Sequence, residues 1–536
     1  MVIKMKNEAL TALVGVSASE TPKYLLLNNF LADFFEARSH EEDDYTFSFF
    51  EEQGILVCQE SNSEVKRDLE RSFEKFLQYF MGREMLSGIK SGKEKIYMPL
   101  SLDMLGSANV NLRHLLYHLA LSGGKPSEEE RIREELYQYL YGDSTGIYDI
   151  VRRFCGIEKG RKDKVKEPGG FEKLREEPFF KKLGRRFYKD LHSLLTHPYF
   201  TGQDFYKRLD DLAMLLTMYV VFYFIHRVRP ETSGMPVLLC KGSTDSGLND
   251  GGLHRACTSN YQSFRDSFSD LLSGFYVGRV MEQREKEAGE EAGNADGNRI
   301  GQENRNADGN GKGQESRKRD GINDAEQGKE TFIVVSNRNG AIHIGDVPLK
   351  EYLNRVFDAN YRNDERLNQK AGDVFHLQIG ERLNLSVEEF VDYYMQLTGK
   401  ISGTNQTRIF GVLQGSGKEI GFVYPATRSK YKYFALSGEL TAFLVRLYLT
   451  TKKDVEFAFL DDFIKHLEDN YGIYIRKCNK TERLVQKYKI RVKQQEFSRN
   501  EQAFLETLDQ VNCLIRLSDS GYVVTLPEKK GEFKLL

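Results

Sequence analysis

The sequence contains no tryptophan and only 11 prolines among 536 residues, a composition typical of a helix-rich soluble protein. It also lacks a large net charge, because 77 basic residues oppose 79 acidic ones. Any affinity for nucleic acid must therefore come from local basic patches. The six cysteines are scattered singly without a C-x-x-C pair, which argues against a structural zinc site and a disulfide framework. The length predicts two or three domains.

Long hydrophobic runs are also scarce. Residues 212–225 form the one uncharged apolar run, and it is shorter than the roughly 20 residues that a spanning helix needs. Charged residues lie on both sides of it, so we predict a central helix buried on all sides. The N-terminal residues do not form the apolar core of a signal peptide. Together with the unpaired cysteines, this predicts a cytoplasmic protein with no membrane partner.

The sequence does contain many helical patterns, interrupted by one segment of different composition. Between about residues 283 and 330 apolar residues nearly vanish and Asn-Ala-Asp-Gly-Asn occurs twice. Such a segment cannot bury enough surface to offset its ordering entropy. We therefore predict an α+β, mostly helical, multi-domain fold. Its regions are a mainly helical N-terminal scaffold domain (1–282), a disordered insertion (283–330), an α+β middle region (331–435) and a winged-helix-like C-terminal domain (436–536).

Shorter patterns predict individual elements. Residues 45–50 and 409–424 are predicted as strands, and residues 332–344 as a hairpin. Residues 386–389 are a capping box, Ser-Val-Glu-Glu, which predicts a helix start. In residues 179–188 aromatic residues alternate with basic pairs. This arrangement suits either contact with a phosphate backbone or a helix whose apolar side lies in the core.

The C-terminal region carries the pattern that suggests a function class. Amphipathic helices are predicted at residues 437–449, 459–471 and 500–511, followed by a hairpin over residues 514–526. Three short helices closed by a two-stranded ribbon is the element order of a winged helix. The apolar stripes of these helices agree with one another, so a fragment from about Ser437 is expected to fold alone.

A basic run, residues 476–493, lies between the second and third of these helices. It holds eight basic residues and one acidic residue, and such a run suits contact with a duplex backbone. Two lysines of the first loop and one arginine of the hairpin add to it. The predicted DNA contacts are Lys452, Lys453, Arg476, Lys477, Lys480, Arg483, Lys487, Lys489, Arg491, Lys493 and Arg516. Many winged helices serve only as protein–protein modules, so a partner subunit remains an alternative ligand to double-stranded DNA.

No complete catalytic motif is found. Residues 241–252 have the glycine spacing of a phosphate-binding loop, but Leu248 and Asn249 occupy the positions that need Lys and Ser or Thr. We therefore predict a polar turn, and its contacts to an anion or a partner would be Lys241, His254 and Arg255. The alternative is a nuclease or nucleotide-dependent enzyme with its site around Asp245–Arg255, formed by Asp245, Asp250, His254 and Arg255.

His114 and His118 stand one helical turn apart, but no third metal ligand accompanies them. We interpret them as ordinary helix-surface histidines. The acidic pairs at 210–211 and 461–462 are adjacent in sequence, and adjacent residues on a helix point in different directions. No metal and no cofactor is predicted, and the protein is expected to be non-catalytic.

Three stretches of the C-terminal region resemble a known kind of protein. They are residues 436–440 (Leu-Ser-Gly-Glu-Leu), residues 459–475 ending in Asn-Tyr-Gly-Ile-Tyr-Ile, and residues 516–524 (Arg-Leu-Ser-Asp-Ser-Gly-Tyr-Val-Val). They look like the C-terminal part of large components of bacterial phage-defence islands, in particular the DptG-type component of phosphorothioation-dependent restriction. The resemblance implies a non-catalytic subunit that works beside an ATPase and a translocase. It covers roughly the last fifth of the chain and carries no active site.

Overall fold

The computed structural model describes residues 22–35, 46–52, 54, 56–81, 112, 114–122, 128–142, 171–228, 237–238, 251–303, 332–357, 366–402, 408–426, 431–452, 455–517 and 521–530. The chain forms two compact units. Unit 1 contains Phe268–Thr407, and unit 2 contains Val14–Ser267 and Arg408–Leu536. Helices predominate over a few small sheets, which confirms the predicted α+β, mostly helical class. The four predicted regions stay predictions, and their limits at 282, 330 and 435 differ from the limits of the two units.

The N-terminal part of unit 2 is a bundle of helices. Its described elements are α1 (Lys23–Phe34), α2 (Phe47–Glu52), α3 (Ser63–Met81), α4 (Leu115–Ser122), α5 (Glu128–Tyr141), α6 (Phe171–Glu176), α7 (Pro178–Thr196), α8 (Pro198–Thr201), α9 (Phe205–Val228) and the short strand β1 (Val237–Leu238). Helix α7 packs against α4, α5 and α9, and α9 also packs against α1. These contacts place α9 in the middle of the bundle.

The apolar run of α9 explains its central position. Every residue of 212–225 is buried, including Thr217, whose hydroxyl donates to the carbonyl of Ala213 at 2.8 Å. The prediction of a central helix buried on all sides is therefore confirmed. Phe205–Arg227 is also long and apolar enough to cross a membrane, but 89% of its apolar 18-residue stretch is buried inside the protein. The core helix of a soluble protein passes the same test, so this likeness is weak evidence for a membrane.

Unit 1 combines a small antiparallel sheet with helices. Its elements are the part of α10 (Gly252–Glu303) from Phe268 onward, β2 (Ile333–Arg338), β3 (Ala341–Ile344), β4 (Val347–Pro348), α11 (Leu349–Phe357), α12 (Leu367–Phe375), β5 (Arg382–Leu385) and α13 (Val387–Ser402). The strand order is β4-β3-β2-β5. Side chains of α10, α11 and α13 share its core, where the rings of Phe357 and Tyr394 stack with centroids 4.1 Å apart.

Local signals in unit 1 agree with the sequence. The predicted hairpin is formed by β2 and β3, and its turn residues Asn339 and Gly340 have φ values of 54° and 80°. The capping box is also confirmed, because Glu389 N–H donates to the Ser386 hydroxyl at 3.1 Å and Ser386 N–H donates to the Glu389 carboxylate at 2.9 Å. Helix α10 continues to Glu303, past the predicted start of the insertion, and residues 304–330 lie outside the described residues.

The C-terminal part of unit 2 contains the predicted helices and hairpin. Its described elements are α14 (Arg408–Glu419), β6 (Val423–Tyr424), β7 (Tyr433–Phe434), α15 (Gly438–Thr450), β8 (Phe457–Phe459), α16 (Leu460–His466), a π turn (Leu467–Tyr471), β9 (Ile473–Tyr474), α17 (Asn479–Lys487), α18 (Gln494–Gln510), β10 (Leu514–Arg516), β11 (Tyr522–Thr525) and a 3-10 turn (Pro527–Lys529). The antiparallel strand order β10-β11-β8 adds a third strand to the hairpin, and β9 pairs with β1 in parallel. Helix α17 was not predicted.

The C-terminal part shares its core with the N-terminal helices. The ring of Phe222 on α9 stacks on the ring of Tyr471 with centroids 5.1 Å apart. Arg446 on α15 donates to the buried carboxylate of Asp211 on α9 at 2.9 Å. A fragment from Ser437 would leave these groups without their partners. The structure therefore argues against the expectation that this fragment folds alone.

One segment predicted as a strand forms a helix near the N-terminus. Residues 45–50 were predicted to be extended, but α2 begins at Phe47. Phe47 and Phe50 are buried on one side of this helix, and both rings lie 5.7 Å from the ring of Phe73 on α3. The spacing of three between the two buried rings fits a helix as well as the local alternation fits a strand, and the packing against α3 decides between them.

A second predicted pair of strands, residues 409–424, is mostly the helix α14. Its glycines disfavour a helix, but one of them has a packing role. A Cβ on Gly417 would lie 2.5 Å from a methyl carbon of Val423, so glycine lets the chain after the helix fold back closely against it. Helix α14 packs on α9, and this burial stabilises a helix that its glycines disfavour.

Candidate nucleic-acid interface

Helix α17 carries the first half of the predicted basic run. It begins after Cys478, whose backbone N–H donates to the hydroxyl of Thr481 at 2.8 Å. Thr481, Leu484 and Val485 are buried, which fixes one side of the helix against the protein. The helix ends just before Lys489, which adopts a left-handed φ of 54°. The opposite side of α17 is left facing solvent.

This solvent-facing side is basic. Lys480, Arg483 and Lys487 are all exposed, and their spacing of three and four residues places them on one face of the helix. The one acidic residue between positions 480 and 493 is Glu482. Its carboxylate lies 2.9 Å from the ammonium of Lys477, so its charge is already compensated.

The segment that follows α17 continues the same separation of apolar and basic residues. Tyr488, Ile490 and Val492 are half-buried and pack against a hydrophobic cluster of unit 2. The basic residues between them are exposed, as expected where successive side chains of an extended chain point to opposite sides. We define the basic face as the exposed residues Lys480, Arg483, Lys487, Lys489, Arg491 and Lys493.

Contacts to the beginning of α10 hold the basic face in place. The hydroxyl of Tyr488 lies 2.8 Å from the hydroxyl of Ser263 and accepts from the amide of Asn260 at 3.3 Å. The backbone N–H of Gly252 donates to the carboxylate of Glu496 at 2.7 Å. These hydrogen bonds attach both ends of the extended segment to one helix.

Two other predicted DNA contacts are engaged with acids. The guanidinium of Arg476 lies 2.6 Å from the carboxylate of Asp461 and 3.8 Å from that of Glu501. Lys477 is the partner of Glu482 described above. A cation that is paired with a carboxylate attracts a phosphate less strongly, so these two residues are weak candidates for a phosphate contact.

The remaining predicted contacts are dispersed. The ammonium of Lys452 lies 2.6 Å from the hydroxyl of Tyr448 and 4.4 Å from the centre of its ring. Arg516 is exposed at the end of β10, beside the turn of the hairpin. Lys453 lies outside the described residues. The structure thus groups six of the predicted residues on one short stretch and leaves Arg516 as a separate exposed cation.

Helix α18 occupies the position of the third helix in the predicted winged helix, and it is acidic. Its exposed side chains include Glu506 and Asp509, of which Asp509 is paired with Lys530 at 2.8 Å, and the half-exposed Glu501 lies 3.8 Å from Arg476. Arg499 is the one basic residue in this helix. Carboxylates repel the phosphates that line a DNA groove. With one basic residue against four acidic ones, α18 is less suited than a basic helix to insertion into the major groove.

The alternative site around Asp245–Arg255 is only partly described. On α10, the ring of His254 packs edge-to-face on Tyr433 at 5.0 Å, and Arg255 is exposed. The first N–H of this helix, from Gly252, already donates to a carboxylate of Glu496. An anion would have to displace that carboxylate to bind at this helix start. The other predicted residues, which lie outside the described residues, are Lys241, Asp245 and Asp250.

The aromatic and basic residues of 179–188 lie on α7. Phe179, Phe180 and Phe187 are buried, and the ring of Phe180 packs edge-to-face on that of Tyr223 at 6.1 Å. The arrangement favours the second of the two interpretations, a helix whose apolar side lies in the core. Stacking on nucleic-acid bases would require these rings to be exposed.

A buried polar network was not predicted from the sequence. The carboxylate of Asp190 accepts hydrogen bonds from the hydroxyls of Tyr219 and Tyr471 at 2.6 and 2.7 Å, and from Arg186 at 3.1 Å. Arg186 also lies 2.8 Å from Nε2 of His466. Burial, followed by the charge of Arg186, lowers the pKa of His466 to about 3. We call these five residues the Asp190 network. Since Asp190 is fully buried, its role is to join α7, α9 and the π turn.

Comparison with known proteins gives one match. Residues 317–525 match the family model described as "Methylation-associated defense system protein MAD7". The match covers about two fifths of the chain and includes the basic face and the hairpin β10–β11. No curated protein and no solved structure matches the chain. The match supports the prediction of a component of a bacterial defence system, but it does not indicate the phosphorothioation-dependent type.

Proposed function

We propose that this chain is a nucleic-acid-binding component of a bacterial defence system, and that its basic face contacts the phosphate backbone of double-stranded DNA. The observation that carries the proposal is the run of six exposed cations whose one acidic neighbour, Glu482, is paired with Lys477. Cations of this kind bind phosphates and release the counterions that surround DNA, which gives binding its free energy. The family match supports the defence context.

The same charges indicate how DNA would be bound. Base edges in the major groove are usually read by a helix that enters the groove. The helix in the corresponding position is α18, and its exposed carboxylates oppose such an approach. We therefore infer that binding is directed at the backbone and depends little on the DNA sequence.

The element order of the C-terminal part supports a winged helix. Helices α15, α16 and α18 are followed by the hairpin β10–β11, and β8 between the first two helices completes the sheet. Helix α17 would be an insertion that carries the basic face. The partner ATPase or translocase, the DptG-type assignment, the cytoplasmic location and the non-catalytic role remain predictions.

The proposal is tested by fluorescence anisotropy of a labelled duplex at several salt concentrations, with the full chain. Changing Lys480, Arg483 and Lys487 to Gln should make the slope of log K against log salt shallower by up to about 2.7, because each phosphate contact contributes about −0.9. A second variant, with Gln at Lys489 and Arg491, tests the extended segment in the same way. Duplexes of different sequence should give nearly the same affinity.

A matched control is available on α3. Arg67, Arg71 and Lys75 are exposed at a spacing of four residues along one face of that helix, but acidic residues are interspersed among them. Changing these three to Gln removes the same charge and should leave the salt slope nearly unchanged. Equal effects of the two triple changes would show a non-specific charge effect. If both variants of the basic face bind the duplex with the affinity and salt slope of the unmodified protein, the basic face is not the interface.

A further inference from the structure

The sheet of unit 1 has two outer strands, β4 and β5, and they are protected differently. Strand β4 is two residues long and contains Pro348, which has no backbone N–H. Strand β5 is four residues long and contains no proline. Proteins commonly protect the edge of a sheet with a very short strand or a proline. Among the residues that the structure describes, β5 is therefore the open edge of this sheet.

The hydrogen bonds of β2, the neighbour of β5, show which backbone groups of β5 point outward. The N–H of Asn337 on β2 donates to the carbonyl of Glu381 at 3.1 Å. The carbonyl of Val334 faces the other side of β2 and accepts from the turn after β3 at 2.8 Å. Successive residues of an antiparallel strand alternate between the two sides. The N–H and carbonyl groups of Arg382 and Asn384 therefore point away from β2, toward the open edge.

The open part of the edge is limited to these two residues. The side chains of Arg382 and Asn384 are exposed, and the described residues form no hydrogen bond to their outward backbone groups. On one side the N–H of Gly380 is bonded to β2 at 3.1 Å. On the other side the N–H of Ser386 is bonded within the capping box of α13 at 2.9 Å. Two N–H groups and two carbonyl groups are left, and such a row is a template for another strand.

The same two residues of a second copy fit these groups in one register. In an antiparallel pair, residues that face each other in this way exchange both N–H···O bonds. If Arg382 faces Asn384 of the second copy, and the reverse, four such bonds form. If Arg382 faced itself, two like charges would be opposed. If Asn384 faced itself, the pairing would need the N–H of Ser386, which is already bonded.

We propose that two copies of this chain pair through β5, antiparallel across a twofold axis, and join their four-stranded sheets into one continuous sheet. Twofold dimers are the commonest homo-oligomers. The axis passes between the two copies of Leu383, which is half-buried against the core of unit 1, and pairing covers its exposed part. Ile379, in the turn before β5, is 84% exposed and lies beside the start of α13 of the second copy. The dimer does not depend on the basic face.

The oligomeric state is tested with the full chain by sedimentation velocity over a range of concentrations. The unmodified protein should form a dimer as the concentration rises. Asn384→Pro removes one outward N–H from each copy and leaves the bonds between β5 and β2 in place. It should raise the dissociation constant of the dimer at least about tenfold, because each dimer loses two hydrogen bonds. The matched control, Asn384→Ala, keeps the N–H and should leave the dissociation constant nearly unchanged.

The register is tested by disulfide formation with oxidised glutathione. The Cα atoms of the two copies of Leu383 would lie about 4.5 Å apart, within the range that a disulfide spans. Leu383→Cys should therefore give a covalent dimer on a non-reducing gel. Asn384→Cys should not, because its two copies would be roughly 8 Å apart, beyond that range. The six native cysteines are present in both variants, so their background is the same.

Three results would overturn the proposal. A protein that stays monomeric at every concentration would leave the edge to a strand of another protein. Equal effects of Asn384→Pro and Asn384→Ala would place the dimer contact elsewhere. Covalent dimers that form no faster with Leu383→Cys than with Asn384→Cys would exclude the register, and this result does not depend on the stability of the proline variant.

Discussion

Removing the carboxylate of the Asp190 network should strongly destabilise unit 2. Asp190→Ala leaves the guanidinium of Arg186, whose side chain is 13% exposed, without its counter-ion. Breaking a buried ion pair from one side typically costs 3–5 kcal/mol. The hydroxyls of Tyr219 and Tyr471 also lose their acceptor, at 2.6 and 2.7 Å, so we expect the upper part of this range. Since proteins are stable by about 5–15 kcal/mol, the loss is a large fraction of the total.

The assay is urea unfolding, monitored by circular dichroism. A change in the midpoint measures a change in stability where the free energy of unfolding falls with urea at the same slope in each variant. Tyr471→Phe should cost less, about 1–2 kcal/mol, because it removes one hydroxyl and keeps the ion pair. The control is Glu482→Ala, which breaks the exposed pair with Lys477 and should cost about 1 kcal/mol or less. If Asp190→Ala lowers the midpoint no more than this control does, the network does not hold the helices together.

Three further predictions concern stability. The melting temperature should fall as pH drops below about 6.5, because His226 and His466 have pKa values of about 4 and 3 in the folded protein and the unfolded chain therefore binds more protons. His226→Gln should flatten this fall between pH 7 and 5, and a flat profile for the unmodified protein would contradict the reasoning. A fragment of residues 437–536 should show no cooperative thermal transition, and a sharp one would show that it needs no other helices. Gly340→Ala should lower the free energy of unfolding by about 1–2 kcal/mol, because Gly340 has a positive φ. Gly278→Ala in α10 should raise it by about 1 kcal/mol, because the space around Gly278 is open and alanine favours a helix. If urea unfolding shows both variants to be stabilised, or both destabilised, the reasoning is refuted.

Local chemistry explains which elements could be predicted. Ser437 was placed at the start of the first C-terminal helix, and its hydroxyl accepts the N–H of Leu440 at 3.0 Å. The second helix was predicted to end at residue 471, and Gly472, which follows it, has the left-handed φ of 67° that is common just after a helix. The hairpin turn at Asn339 and Gly340 has the left-handed angles that these residue types favour. In each case the signal depends on residues only a few positions apart.

Tertiary contacts explain the errors. Residues 409–424 contain glycines that favour a loop, and the packing of α14 on α9 overrides them. Helix α17 was missed because its basic residues obscured a short apolar stripe, Leu484 and Val485. The basic face itself was predicted, since a run of cations is visible in any conformation. Which cations of the basic run are paired was not visible, because Asp461, the partner of Arg476, lies outside the run on another helix.

Two groups of buried polar side chains could not be assembled from the sequence. The residues of the Asp190 network come from segments about 280 positions apart, and Arg175 meets His118 from another helix. Spacing identified His114 and His118 as neighbours, but the prediction that they are helix-surface residues is wrong for His118, which is fully buried. Burial depends on which helices pack around α4, and a single sequence does not specify that.

The central position of α9 also has a consequence for synthesis on the ribosome. The helix that covers one side of it, α14, begins about 180 residues after α9 ends. At about 5–20 residues per second, the ribosome needs roughly 9–36 s to make the intervening chain. During this interval α9, with its long apolar run, lacks part of its cover. We therefore expect the nascent protein to be bound by chaperones that recognise exposed apolar helices until α14 has been made.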